Sequence, residues 1–357
     1  MKKLCIVLPF PPPNYGPSMY SEYMVEALSN IEEIESLKIN AELNKSSEKI
    51  GKYSISKLFK FLTIIFKVYK KSKSSNLILN LHLSLGGSFK TFILVLLNYH
   101  KVKSLTLILH EGGLKESLEK NFFVKYLIKY SVNKSDVIFA LDEDQKNTWS
   151  DIYKKANFEI IPAYRNEQPS LPKKVKRVVF LANLIPEKGI FDTLKIWKSI
   201  SEIDKSAHEL LIMGTTMSKK TENHLISEVK KMKNTELLIN PNRELALELF
   251  SASKIFIYPS TYFLEQQPSV MIEALSFHIP VVAYKWRGVN NLIKDNFNGL
   301  LSEPKDINKI SQNLIRLMND SDLYERLSLN SFKEFEKFYS KSNYIKNFEN
   351  IAKKYYS

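Results

Sequence analysis

The stretch that most constrains the fold runs from Lys254 to Leu301. Ile255 to Tyr258 is a short β-branched and aromatic run that ends in Pro259-Ser260-Thr261, and a polar loop carrying Glu265, Gln266 and Gln267 follows. Pro268 and Ser269 then open a segment whose apolar residues Val270, Ile272, Ala274, Leu275 and Phe277 predict a buried helix of about two turns. Ile279 to Tyr284 predicts a second strand. Strand, loop, helix and strand in that order form one unit of a parallel sheet. The loop lies at the carboxyl end of a strand, where open α/β sheets bind ligands.

Glu265 in the loop and Glu273 on the helix bracket the helix start. The N–H groups of Ser269, Val270 and Met271 belong to the first turn, where amides have no intrahelical partner and can seat a phosphate, with Gln267 and Pro268 leading into it. Carboxylates accept hydrogen bonds from hydroxyls. A ligand with sugar hydroxyls on both sides of a diphosphate satisfies both demands, and a nucleotide sugar is such a ligand.

Through Glu265, Glu273, Ala274, Pro280, Val281 and Val282, followed by Gly288 and Asn298-Gly299, the stretch resembles the E-x7-E signature of retaining glycosyltransferases of the GT-B fold, most closely glycosyltransferase family 4. It departs from the pattern by carrying Gln266 and Gln267 where glycine or an aromatic residue is usual. The resemblance implies an α/β protein of two Rossmann-like domains whose parallel sheets face each other across a cleft. It places an acceptor-binding domain at residues 1–164, with 340–357 returning to it, and a nucleotide-sugar-binding domain at 177–339. The polar segment Ala163 to Lys174, with two prolines, marks the linker, expected over 165–176.

Composition agrees with two soluble domains: 357 residues, 44% hydrophobic and 25% charged. The one cysteine, Cys5, excludes an internal disulfide and fits a reducing compartment. The apolar run after Met1 stops at Pro9, too short for the core of a secretory signal, and no run approaches the roughly 18 apolar residues that cross a bilayer. The expected location is cytoplasmic and peripheral, on the inner face of the cell membrane. The formal charge is +14, and from Lys49 to His110 eleven lysines occur without a single Asp or Glu. Such a field attracts a polyanion or an anionic membrane.

Within that span, residues 52–73 predict a helix with Leu58, Phe61, Leu62, Ile65 and Tyr69 on one side and Lys57, Lys60, Lys67 and Lys71 on the other. One reading packs the apolar side on a sheet and leaves the lysines solvated. The other, which the long acid-free span favours, holds the helix against anionic lipid. No helix-turn-helix, zinc spacing or aromatic RNA-binding pattern occurs, so nucleic acid is not an expected partner.

The remaining candidates come from strand ends. Lys3 to Pro9 predicts the first strand, the loop to Pro17 contains Asn14 and Gly16, and Ser18 is the expected N-cap of a helix to Leu28. The resemblance makes Gly16 the loop glycine that lies against donor phosphates and acceptor. Strand Leu105 to His110 ends in His110-Glu111-Gly112-Gly113, and His110 looks like the family's histidine that faces the donor sugar, while His82 is read as structural. After strand Arg177 to Asn183, Lys188-Gly189 is similar to the family's diphosphate-binding Lys-Gly, with Asn183 at the family's arginine position. Gly214 and Arg243 fall by position near the nucleotide base and ribose. Asp142, Glu143 and Asp144 read as helix-capping acids rather than a metal site, and neither metal nor cofactor is expected.

The resemblance thus implies His110, Lys188 and Glu265 as catalytic residues, with Glu273 on the ribose. The implied reaction moves a sugar from a UDP- or GDP-sugar to a glycan or polyprenyl-linked acceptor in bacterial surface polysaccharide synthesis. A nucleotide-sugar epimerase, a phosphorylase, or a non-catalytic subunit of the same fold remain alternatives.

Overall fold

The computed structural model describes residues 1–13, 15–43, 55–166, 171–200, 207–216 and 218–356. Asn14, the first residues of the expected basic helix (52–54) and residues 167–170 of the expected linker lie outside the described residues. Two compact units divide the chain, residues 1–164 with 341–357 and residues 165–340.

The first unit runs β1 (Lys2–Leu8), α1 (Gly16–Leu28), β2 (Ile34–Asn40), α2 (Ile55–Lys71), β3 (Asn76–Leu81), α3 (Leu85–Asn98), β4 (Ser104–Leu109), α4 (Leu114–Lys120), α5 (Phe122–Lys134), β5 (Val137–Ala140), α6 (Glu143–Ile152) and β6 (Phe158–Ile160). All pairings are parallel, in the order β2-β1-β3-β4-β5-β6. Every residue of β3 and β4 is buried, as required of central strands covered by helices on both faces. On one face Phe61, Ile64 and Val68 of α2, Leu94 and Val95 of α3, and Val124 and Ile128 of α5 pack on Leu77, Leu79, Leu105 and Leu107.

Two local expectations need correction here. Tyr15, not Ser18, is the residue that caps α1, and its N–H donates to Ser18 Oγ at 3.0 Å from inside the first turn. On α2 the buried stripe is Phe61, Ile64 and Val68, whereas Leu58, Leu62 and Tyr69, which the sheet-packing reading of this helix turns inward, are 58%, 52% and 48% exposed. The helix docks along one narrow stripe against β1, β2 and α3, which rotates it away from the predicted face.

The second unit runs β7 (Val175–Leu181), α7 (Ile190–Ser199), β8 (Glu209–Gly214), α8 (Lys219–Val229), β9 (Thr235–Ile239), α9 (Arg243–Ser251), β10 (Ser253–Tyr258), α10 (Ser269–Ser276), β11 (Val281–Tyr284), α11 (Val289–Leu292), β12 (Gly299–Ser302), α12 (Ile307–Asn319) and α13 (Ser321–Phe338). Its sheet is also parallel, ordered β12-β11-β10-β7-β8-β9. The chain starts mid-sheet at β7, moves out to β9, then returns beside β7 with β10. The strand order therefore reverses between β7 and β10, the kind of position at which open α/β sheets bind ligands at the carboxyl ends of their strands. In the first unit the corresponding reversal lies between β1 and β3.

The last helix, α14 (Lys341–Tyr355), belongs to the first unit, as expected. Its Phe348 ring meets Phe139 edge-on at 6.1 Å, the Tyr344 ring lies 4.8 Å from Tyr164, and the Tyr356 hydroxyl bonds Thr106 Oγ1 at 2.9 Å.

Candidate active site

At the β7/β10 reversal, Pro186–Lys188 forms a single tight turn that ends at Gly189, whose φ of +89° is left-handed. A Cβ at Gly189 would fall 2.1 Å from the Pro259 carbonyl oxygen, so only glycine lets this turn lie against the segment leaving β10. The contact brings Lys188 to Glu265: Nζ lies 2.6 Å from Oε2. Tyr258 OH donates to the same oxygen at 2.7 Å and Ser260 Oγ at 3.2 Å. Lys188 also donates to Tyr258 OH at 3.2 Å and stands 4.4 Å from the centre of the Tyr262 ring.

Both side chains are well buried, 13% exposed for Lys188 and 7% for Glu265. Burial and the facing Glu265 carboxylate push the Tyr258 hydroxyl well above its ordinary range, so it stays a protonated donor. All of these donors use Oε2, so Oε1 accepts no hydrogen bond among the described residues. The loop carrying Glu265 is fixed from behind: a Cβ at Gly288 would fall 1.3 Å from the Gln266 carbonyl oxygen.

One helix further along, Glu273 sits on α10 with its carboxylate 5% exposed between two guanidinium groups. Arg165 Nε donates to Oε1 at 2.9 Å, and Arg243 donates to both oxygens. Burial works against ionisation here, but Arg165 and Arg243 together outweigh it and hold the carboxyl below its usual value. The carboxylate expected to meet the ribose is thus already engaged by arginines. Arg243, at the first position of α9, is brought to this cluster, and Arg165 joins it without any prior sequence indication.

At the start of α10, Pro268 is the buried cap residue and Gln267 is half-buried beside it. Of the three amides expected to be free, Met271 N–H is not, because it closes the first turn onto the Pro268 carbonyl at 2.9 Å. The N–H groups of Ser269 and Val270 make no hydrogen bond among the described residues, and both residues are only partly buried. Gly214 is buried at the end of β8, where a Cβ would fall 1.8 Å from the Ala182 carbonyl oxygen, and Asn183 is exposed in the loop after β7.

The first unit carries its polar residues at the same kind of place, the carboxyl ends of β1, β3 and β4. His110 follows β4, with its ring edge-on to Tyr20 at 4.7 Å. Its Nε2 is shielded and has no hydrogen-bond partner among the described residues. Burial, reinforced by His82, pushes its pKa down to about 3, so the imidazole is neutral. His82 Nδ1 lies 3.0 Å from Glu111 Oε1, and its Nε2 lies 2.8 Å from Asn80 Nδ2. Glu111 Oε2 accepts the Leu83 N–H at 3.0 Å. Burial opposes ionisation of Glu111, but His82 and that amide outweigh it and lower its pKa.

Glu111 had no indication in the sequence beyond standing next to His110. Gly16 opens α1 with nothing within 4 Å of where a Cβ would stand, so sterics alone do not demand glycine there. Asp142 Oδ1 accepts the Gln145 N–H at 2.8 Å, a helix cap as expected.

Known proteins resemble the second unit in sequence and share the two-sheet α/β fold. The profile of glycosyl transferases group 1 matches residues 163–334. An uncharacterized glycosyltransferase of Haemophilus influenzae is 29% identical over 218 residues, covering 58% of this chain and 59% of that protein. A poly(glycerol-phosphate) alpha-glucosyltransferase of Bacillus subtilis is 25% identical over 249 residues, covering 67% of this chain and 35% of that protein. The matched region thus spans less than two thirds of the length of either relative.

Among solved structures, sucrose-phosphate synthase from Thermosynechococcus elongatus superposes with a TM-score of 0.79 at 15% identity over 99% of both chains. Anabaena HepE in complex with UDP superposes with a TM-score of 0.73 at 13% identity over 99% of this chain and 100% of that one. The second unit thus resembles glycosyl transferases group 1 in sequence, and the two six-stranded parallel sheets with their helices have the fold of the GT-B structures.

Proposed function

We propose that this chain is a hexosyltransferase-type, retaining glycosyltransferase of family 4 that moves a sugar from a UDP- or GDP-sugar to a glycan or polyprenyl-linked acceptor in surface polysaccharide synthesis. The second unit takes the donor and the first the acceptor. One observation carries the reading: a buried Lys188–Glu265 pair stands at the β7/β10 reversal, and a few residues further on the Ser269 and Val270 amides are unspent. Transfer puts negative charge on the departing diphosphate. An ammonium group and two fixed amides stabilise that charge without reorganising in the reaction.

In this reaction the bond from the anomeric carbon to the diphosphate oxygen breaks. The acceptor hydroxyl oxygen bonds to the same face of that carbon, and its proton passes to the leaving phosphate oxygen. Lys188 neutralises the diphosphate, Glu265 Oε1 accepts a sugar hydroxyl, and neutral His110 offers its ring nitrogen to the sugar. Gly16, Asn183, Gly214, Gln267 and Pro268 shape the backbone around the ligand. Arg243 and Glu273 form one unit beside the ribose. No step uses a metal.

The poly(glycerol-phosphate) relative supports a surface-polymer acceptor, and the UDP complex of HepE supports a nucleotide donor. The basic helix α2 supports work at the anionic inner face of the cell membrane. The test is a panel of nucleotide sugars, read first by thermal stabilisation and then by product formation with and without chelator. The expected result is one stabilising donor, chelator-insensitive transfer and an α-configured product from an α-donor. Epimerised sugar nucleotide formed without acceptor, or an inverted product, overturns the proposal.

A further inference from the structure

Glu273 is held by two arginines that differ in kind. Arg165, whose side chain is 6% exposed, donates from Nε to Oε1 at 2.9 Å. Arg243, 42% exposed, reaches Oε1 and, at 3.4 Å, Oε2. No other group donates to Oε2 among the described residues. Oε1 therefore has a buried partner, whereas Oε2 is covered only by an exposed side chain at the limit of hydrogen-bond length.

Arg165 is also fixed through its main chain. It is the first residue of the second unit, its N–H donates to the Tyr339 carbonyl at 3.0 Å, and it pairs with Ser340, the last residue of that unit, in a short parallel bridge. Further along the same segment, Lys174 Nζ donates to the carbonyls of Ser251, at the end of α9, and of Phe277, just after α10, at 2.5 and 2.8 Å. The segment thus fastens both helices of the cluster, α10 through Glu273 and Lys174, and α9 through Lys174. Arg243 reaches the same carboxylate from the first position of α9 on a side chain with room to turn away.

On α10 Glu273 stands one turn after Ser269 on the same face, about 5.4 Å along the axis, and its side chain leans back toward the helix start. The Ser269 N–H has no hydrogen bond among the described residues. An anion at that amide therefore has Glu273 beside whatever it carries. In a nucleoside diphosphate the nearest such group is the ribose, joined to the phosphate through one methylene.

A carboxylate accepts a ribose hydroxyl best while it is ionised. Burial opposes ionisation of Glu273, and the charge of Arg165 is the foremost of the interactions that offset it. With Arg243 turned aside, Arg165 alone keeps the group charged; without Arg165, a carboxyl this deeply buried is driven toward its protonated form.

We propose that Arg165 is a positioning residue for the donor's ribose: it holds Glu273 while Arg243 turns aside, and a ribose hydroxyl donates to Oε2 in its place. The inference rests on the reading of the second unit as the nucleotide-sugar domain. It adds a preference for ribonucleotides over deoxyribonucleotides, governed by a residue that does not itself touch the ligand. A pair that only stabilises the fold gives no such preference.

Calorimetric titration of the full chain with UDP and GDP, each against its 2′-deoxy and 3′-deoxy counterparts, tests it. The parent should bind one of the two nucleotides and lose affinity about 10- to 100-fold when the hydroxyl that meets Glu273 is removed, the usual worth of a hydrogen bond to a charged group. R165M should bind the ribonucleotide about as weakly as the parent binds the deoxy form, with no preference between them. R165Q, which loses the charge but keeps an N–H donor, reads the same ratio should R165M fail to fold. R243M should keep the parent's preference, because Arg165 still holds the carboxylate.

An unchanged preference in R165M or R165Q overturns the proposal, as does a parent that binds ribose and deoxyribose forms alike. A preference lost in R243M but kept in R165M overturns it too, by assigning the hold on Glu273 to Arg243. If the parent binds neither nucleotide, the donor reading itself falls and the inference with it. Nucleotide binding with a preference that Arg165 does not govern sinks the inference alone.

Discussion

The two sheets are built alike and furnished differently. Each is six parallel strands with one reversal of strand order, β7/β10 in the second unit and β1/β3 in the first. At the second unit's reversal the side chains are charged and mutually paired, Lys188 with Glu265 and, one helix on, Glu273 with two arginines. At the first unit's strand ends the central group is an imidazole kept neutral by burial, next to the His82–Glu111 pair. Fixed positive charge and free amides suit a diphosphate, whose charge grows as it leaves. An imidazole that carries no charge suits a hydroxyl acceptor, which has no charge to be met.

The strongest way to break this contrast is Glu273→Ala. It takes the Glu273 carboxylate away from Arg165, itself 5% exposed, and removal of one partner from a buried ion pair costs about 3–5 kcal/mol. Urea unfolding measures it; a loss under about 1 kcal/mol means the second unit does not depend on its paired charges. The pH dependence has a definite sign. The Glu273 carboxyl is held below its usual value, so its contribution is present above the unfolded pKa and is lost as pH falls through the folded one.

Lys188→Ala comes next, with turnover expected to fall about a hundred- to a thousandfold, the usual effect of deleting one donor to a developing anion. That variant also strands the buried Glu265. The double variant K188M/E265Q removes both charges, so it should recover stability while transfer stays lost. A double variant that still transfers normally would refute the role of the pair.

In the first unit, Glu111→Gln should cost only about 1–3 kcal/mol, the scale of a disturbed buried hydrogen-bond set rather than a lost ion pair. A cost equal to that of Glu273→Ala would erase the difference between the two units.

How far these sites could be read from the sequence follows the same division. β10, α10 and β11 announce themselves because buried parallel strands are continuous apolar runs, and Lys188-Gly189 lies in a short motif with a steric reason for its glycine. Arg165 does not. It stands in a polar segment, and its partner Glu273 is 108 residues away, a separation that leaves no local pattern.

β2, with the sequence IESLKIN, escapes notice because an edge strand is buried at only a few positions and shows neither alternation nor an apolar run. The buried face of α2 is hard to read from the sequence for the opposite reason: apolar residues lie on several sides of the helix, Phe59 and Phe66 outside as well as Phe61 and Ile64 inside, so a helical wheel does not choose among them.

The finest probe of the contrast is His110. Its pKa is pushed down to about 3 by burial and by His82, against about 6.5 for an exposed histidine. Between those values the unfolded chain binds a proton that the folded chain refuses, so stability falls as pH drops from about 6.5 toward 3 and is fully retained above. His110→Asn should remove that slope, visible as a smaller drop in melting temperature on acidification than the parent shows. For the same reason turnover should carry no ionisation near pH 6.5 that His110→Asn abolishes. If such an ionisation appears, the imidazole is open to water and takes on charge, and the proposed contrast between a charged second unit and an uncharged imidazole in the first is lost.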